Sequence, residues 1–310
     1  MSIFATKIYN KLNISIMKNK INLKSLLLSM TAIILFSSCS NELDNPNYPM
    51  KNKSLDITEN IKNDADNMSA NVARLHDELL IGFFKEFYKP ANEYTNEMHD
   101  DLLEYVNSLL EYEEGFESLD IKYEDIMKLH NYDNLLIALM DLPDQEMFES
   151  DLIYNNSMKF DSKANDLFDK FAERSEFTID DLQKEYDEYV KLILNDETNI
   201  VNYVASRVYA DLYLSSLKTW ILYYYSIEHP EKVNSKWPSF SDVKDYVKEG
   251  VKLAVPAVKK DVTAGASAAA GVMITSGGTA ALAAPVVAHG IVGIAGISSM
   301  VTLYNTINGK

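Results

Sequence analysis

Val72-Ala73-Arg74-Leu75-His76-Asp77-Glu78-Leu79-Leu80-Ile81-Gly82-Phe83 sets apolar side chains at positions 72, 75, 79 and 83. Steps of three and four residues bring those side chains onto one face of an α-helix, and Pro90 is expected to end it. The same period returns along the chain. Met98, Leu102, Tyr105, Leu109 and Tyr112 form a second stripe, which Gly115 closes. Ile126, Leu129, Leu135, Leu136 and Leu139 give a third element before Pro143, and Phe160, Leu167, Phe168 and Phe171 a fourth. Thr178-Ile179-Asp180-Asp181 has the form of an N-terminal capping box ahead of Leu182, Tyr186, Tyr189 and Ile193. A long apolar run from Val201 through Val204, Val208, Leu212, Leu217 and Ile221 ends near Pro230. Strand-type alternation is scarce and the connections are short. The expected fold is therefore all-α, an antiparallel helical bundle.

Ser239-Phe240-Ser241-Asp242 reads as a new helix start, beyond which the composition changes. Val262 to Gly309 holds no charged residue and is rich in Ala, Gly, Val and Ile. Thr275-Ser276-Gly277-Gly278-Thr279 divides it as a turn would. One limb carries Ala264, Ala268, Gly271 and Val272. The other carries Ala280, Ala284, Ala288, Gly290, Gly293 and Gly296. Small residues at helical spacing let two helices approach closely, so an Ala/Gly-rich hydrophobic helical hairpin is expected at the C-terminus. Each limb is long enough to cross a hydrocarbon core. Length leaves two destinations open, a bilayer or burial against the bundle.

The N-terminus carries a different signal. Five lysines and no acid precede Cys39, the chain's only cysteine. A short apolar run from Leu26 to Phe36 follows Lys24, then Ser37 and Ser38, then the cysteine. A basic region, a short apolar region and a small-residue site make an export signal too short for a permanent span. Met1 and Met17 are both possible starts of that signal. The order basic, apolar, small, Cys resembles the signal peptide and lipobox of bacterial lipoproteins, with Phe36 where the family usually has Leu. The resemblance implies that Cys39 becomes the first mature residue and carries acyl chains such as palmitate. Glu42 and Asp44 resemble the acidic surface-export signals of Bacteroides-group lipoproteins. The implied location is the cell envelope, at the outer membrane or cell surface. With one cysteine, no disulfide can form within the chain, so the core alone must hold the fold.

These signals divide the chain into a signal peptide (1–38), a flexible tether (39–54), an acidic helical bundle (55–230), a linker (231–241), and a helix with the hydrophobic hairpin (242–310). The net charge is −17 overall and −22 without the leader's lysines, while residues from Val251 onward are net positive. So acidic a surface would repel nucleic acid. A chain cut before Val251 is expected to remain a soluble domain.

Chemistry is sparse. The five histidines lie outside Glu-x-x-His, His-Glu-x-x-His and related patterns. His76-Asp77-Glu78 and Glu97-Met98-His99-Asp100-Asp101 are the best acid/base or metal candidates. Neighbours on a helix diverge, so both are expected to be solvated faces. Trp220, Tyr223, Tyr224 and Tyr225 suit a core better than a sugar platform. No catalytic residue, metal or cofactor is expected. The expected function is that of a non-enzymatic, lipid-anchored envelope protein acting by interaction, its protein partner unidentified. Ala284-Pro285-Val286-Val287-Ala288-His289-Gly290 also resembles the hydrophobic hairpins of bacterial polymorphic toxins and glycine-zipper tails. That likeness implies, as an alternative, a membrane-active effector whose packing residues are Gly271, Gly277, Gly278, Ala284, Ala288, Gly290, Gly293 and Gly296. A glycan- or metal-binding surface protein is the second alternative.

Overall fold

The computed structural model describes residues 57–87, 94–230, 237–276, 282 and 285–307, and among these residues it contains helices and no strand. Nine α-helices run in order: α1 (Glu59–Gly82), α2 (Asn96–Leu110), α3 (Tyr123–His130), α4 (Leu135–Met140), α5 (Ser150–Glu173), α6 (Ile179–Leu194), α7 (Ile200–Glu228), α8 (Val247–Thr275) and α9 (Pro285–Ile307). The all-α bundle is as the periodicity requires.

Local chemistry sets several of the helix starts. Thr58, Thr95, Asn134 and Thr178 each cap a helix, the side-chain oxygen accepting a backbone N–H of the first turn. At Thr178 the box is reciprocal, because Asp181 accepts the Thr178 N–H in return. Asn134 also explains why one expected element is two. Its cap starts α4 afresh after α3 has ended at His130. Gly115, expected to close the second stripe, has a φ of 71°, which glycine adopts at little cost. Near Ser239 the structure differs from the expected helix start. Asp242 accepts from the Ser239 N–H and hydroxyl, but the α-helix begins only at Val247, after a 3-10 turn at Lys244–Tyr246.

The second stripe is also displaced. Leu102 lies inward, whereas Leu109 is 40% and Tyr112 89% exposed. The inward face of α2 runs through His99, Leu102, Val106 and Leu110. Burying a histidine rotates the helix away from the purely apolar reading.

Four helices form the centre, with α7 against α1 and α8, and α9 against α8 and α1. Ser215 donates to the Ala73 carbonyl and Thr219 to Asp77, both 142 residues apart, so α7 runs parallel to α1. Asp261 meets Ser216 and Trp220, while Gly265 meets Leu212, so α8 runs antiparallel to α7. The brief connection after Thr275 returns α9 against α8, and Phe83 reaches Tyr304 at the far end of α1. Helices α5 and α6 cover α7, α2 and α3 cover α9, and α4 lies on α8 and α5. Buried side chains from Ala65 to Tyr304 belong to one contiguous cluster, shared by the segments before and after residue 240.

Candidate functional site

Both limbs of the hairpin are core. Gly271, Ala288, Gly290, Gly293 and Gly296 are buried, whereas Cys39, Gly277, Gly278 and Ala284 lie outside the described residues. The glycines do not share one partner. A Cβ on Gly265 would meet Leu212 at 2.3 Å and Ala295 at 3.5 Å, so this position brings α7, α8 and α9 together. Gly293 instead faces Leu119 and Ile121, and Gly296 faces Leu79. These two receive leucines from other parts of the bundle, packing that spacing within the hairpin does not reveal. The helix Pro285–Tyr304 has the length and apolarity of a membrane span, and 94% of its apolar window is buried within the bundle.

The centre also contains polar groups. Asp261 of α8 is fully buried and its Oδ2 accepts from Ser216 Oγ at 2.5 Å and Trp220 Nε1 at 2.7 Å. Burial pushes its carboxyl up to about 7, against the pull of these donors. On α9, Ser299 donates to the Ala295 carbonyl and sits 3.0 Å from His76 Nε2 of α1. The ring tautomer of His76 sets which of the two donates in this contact. Burial holds that imidazole neutral, with its pKa down to about 3. Arg207 of α7 is the corresponding link at the other end of α1, 2.9 Å from Asp211 and 3.5 Å from Asp66.

The expectation that both histidine clusters are solvated is therefore corrected. His76 is 0% and His99 2% exposed. His99 Nδ1 lies 2.7 Å from the Tyr94 hydroxyl and Nε2 2.6 Å from the Ile121 carbonyl. Each ring pins one segment to another. Acidic neighbours made these stretches look hydrophilic, but one helix can bury the histidine while Glu78, Glu97, Asp100 and Asp101 face outward and Asp77 turns to Thr219 of α7. The aromatic group lies in the core as expected, with Trp220, Tyr223 and Tyr225 buried. Phe84 stacks on Tyr223 with centroids 4.1 Å apart.

Sequence reasoning missed a cleft of about 270 Å³ between α5, α7, α8 and the residues joining α3 to α4. Asp161 lies at its floor, 7% exposed, and the Tyr209 hydroxyl donates to its Oδ1 at 2.9 Å. Burial raises the Asp161 carboxyl to about 6, opposed by the Tyr209 hydroxyl and the Lys259 charge. Tyr132 and Tyr154 supply aromatic wall, and Lys259 stands exposed at the rim. Lys260 donates to the His130 and Tyr132 carbonyls, each at 2.7 Å, and so fastens one wall to α8. The one signal available in sequence was Asp161, an acid adjoining the apolar stripe at Phe160. Its partners lie 48 and about 100 residues away.

Among the described residues no group of three or more His, Cys, Asp or Glu side chains is arranged to hold a metal ion. No family model, curated protein or solved structure matches the chain.

Proposed function

We propose that this chain is a lipid-anchored protein of the bacterial cell envelope that acts by interaction, its helical body held at the membrane through Cys39. The carrying observation is the burial of the hairpin. The apolar helix Pro285–Tyr304 is surrounded by α1, α2, α3 and α8, so the body presents a polar exterior and membrane attachment falls to the lipid. The inward use of His76 and His99 supports recognition over acid/base catalysis, since each ring has a structural partner. The strong negative charge of the body favours cationic partners and disfavours nucleic acid and anionic lipid surfaces.

A second reading rests on the same helix. Its length and lack of charge suit insertion if the hairpin were to leave the bundle. Flotation separates the two. Unlipidated residues 40–310, mixed with vesicles of phosphatidylcholine and phosphatidylglycerol, are expected to stay in solution, with the amides of α8 and α9 protected from exchange without lipid. The full chain is expected to incorporate labelled fatty acid, and Cys39→Ala to lose the label. Flotation of the unlipidated protein would overturn the first reading in favour of a membrane-active hairpin, and undiminished labelling of Cys39→Ala would remove the anchor.

A further inference from the structure

The cleft above Asp161 gathers an acid, a lysine and aromatic wall in one place. Some buried carboxylates elsewhere meet protein donors, although Asp125 Oδ2 and Asp261 Oδ1 are left without one among the described residues. Asp211, for example, takes Arg207, and Asp261 takes a serine and a tryptophan. Asp161 receives one neutral donor, Tyr209, on Oδ1. Among the described residues no hydrogen bond reaches its Oδ2, and the residue lines the cleft. That leaves an acidic oxygen open to the cleft with no protein donor. A cationic donor arriving through the cleft would correct this.

The second charge is positive. Lys260 is committed to two carbonyls, but Lys259 makes no ion pair or hydrogen bond among the described residues, and its charge is felt at Asp161. An anionic group beside Lys259 and a cationic one on Asp161 would satisfy both. The volume, about 270 Å³, suits a small organic molecule below drug size. Tyr132, Tyr154 and Met158 offer apolar and aromatic wall for a short side chain.

We propose that the cleft between α5, α7 and α8 binds a free α-amino acid, with the ammonium on Asp161 Oδ2 and the carboxylate on Lys259. The proposal does not depend on the lipid anchor or on the fate of the hairpin. Tyr209 is the positioning residue, since it holds the Asp161 carboxylate through the other oxygen.

The test is isothermal titration calorimetry on the full chain in detergent, with the twenty common α-amino acids added one by one. Ethylamine, propionate and glucose serve as probes carrying the ammonium alone, the carboxylate alone and neither. At least one amino acid is expected to bind saturably, ethylamine more weakly, and propionate and glucose not at all. Asp161→Asn should weaken amino-acid binding by at least about tenfold, the weight of one charge-assisted hydrogen bond. Lys259→Ala alters an exposed side chain, so folding is spared. It should weaken the amino acid by a similar factor and leave ethylamine unchanged. Absence of heat with every amino acid would overturn the proposal, as would tight glucose binding alone. Unaltered amino-acid affinity in Lys259→Ala would overturn it even if Asp161→Asn failed to fold.

Discussion

Asp261 shows what one residue can impose on a core otherwise built of Ala, Val, Leu and Ile. The only acid from Val251 onward lies fully buried where α7 and α8 cross. Its carboxyl titrates near 7 folded, against an ordinary 3.8. Between those values the folded chain keeps a proton that the unfolded chain has lost. Stability from this group is therefore complete below about pH 4 and declines as pH rises to about 7. His76 has the opposite sign. Its folded value is about 3 against an ordinary 6.5, so its contribution is present above 6.5 and is lost as pH falls towards 3. The two oppose each other over much of the same window, at a limit of about 1.4 kcal/mol per pKa unit. Asp261→Asn keeps an oxygen for Ser216 and Trp220 and removes the buried charge. At pH 8 the variant should be more stable than the parent by about 1–2 kcal/mol, with the gain shrinking by pH 5. Urea midpoints at the two pH values measure this, and an equal difference at both would contradict the assignment of the titrating group.

At the level of elements, periodicity and capping explain individual helices, and contacts explain why they lie where they do. The stripe Val72, Leu75, Leu79 and Phe83 faces inward as its spacing requires, and the Thr178 box is legible in four consecutive residues. Neighbour identity is another matter. The links from Ala73 to Ser215 and from Asp77 to Thr219 join α1 to α7 in parallel across 142 residues, with no loop length to announce them. Gly265 is the element-scale test of the hairpin. Valine there would put side-chain atoms into Leu212, with Ala295 of α9 also within contact of the added Cβ. Gly265→Val should cost about 1–3 kcal/mol through overpacking, partly offset by its better helix propensity. Denaturant unfolding reads the loss, and no loss would mean that α7 and α8 are less tightly apposed than the structure has them.

For the whole molecule, the contiguous core bears on the expectation that a chain cut before Val251 stays a soluble domain. Helix α7 buries 23 named residues along Ile200–Glu228, and its most extensive neighbour is α8. Cutting before Val251 removes all but the first turn of α8 and the whole of α9, and uncovers the part of α7 they cover, Leu212 and Trp220 among it, with each large apolar side chain costing about 1.5–3 kcal/mol when returned to water. Summed over the face of α7 that α8 covers, that loss is comparable with the whole stability of an ordinary domain. Residues 40–250 are expected to be molten or aggregated, with residues 40–310 cooperatively folded. Near-ultraviolet circular dichroism and thermal melts of the two chains check this, and a sharp melt of the shorter one would establish two independent units.

Helix class, the Thr178 cap and the break after Thr275 were readable from spacing, capping residues and composition, because these depend on neighbours within a few positions. The order of charge, apolar run and cysteine in residues 1–39 is likewise local, and the proposed role of Cys39 rests on it alone. Tertiary structure decided that the hairpin forms the centre of the bundle, that Gly293 and Gly296 receive leucines from other elements, and that Asp161 opens into a cleft. Burial of an apolar helix is favourable against protein or lipid alike, so its composition is the same in both cases. The surroundings of a carboxyl group are set by residues 48 to about 100 positions away, and those become neighbours only when the chain has folded.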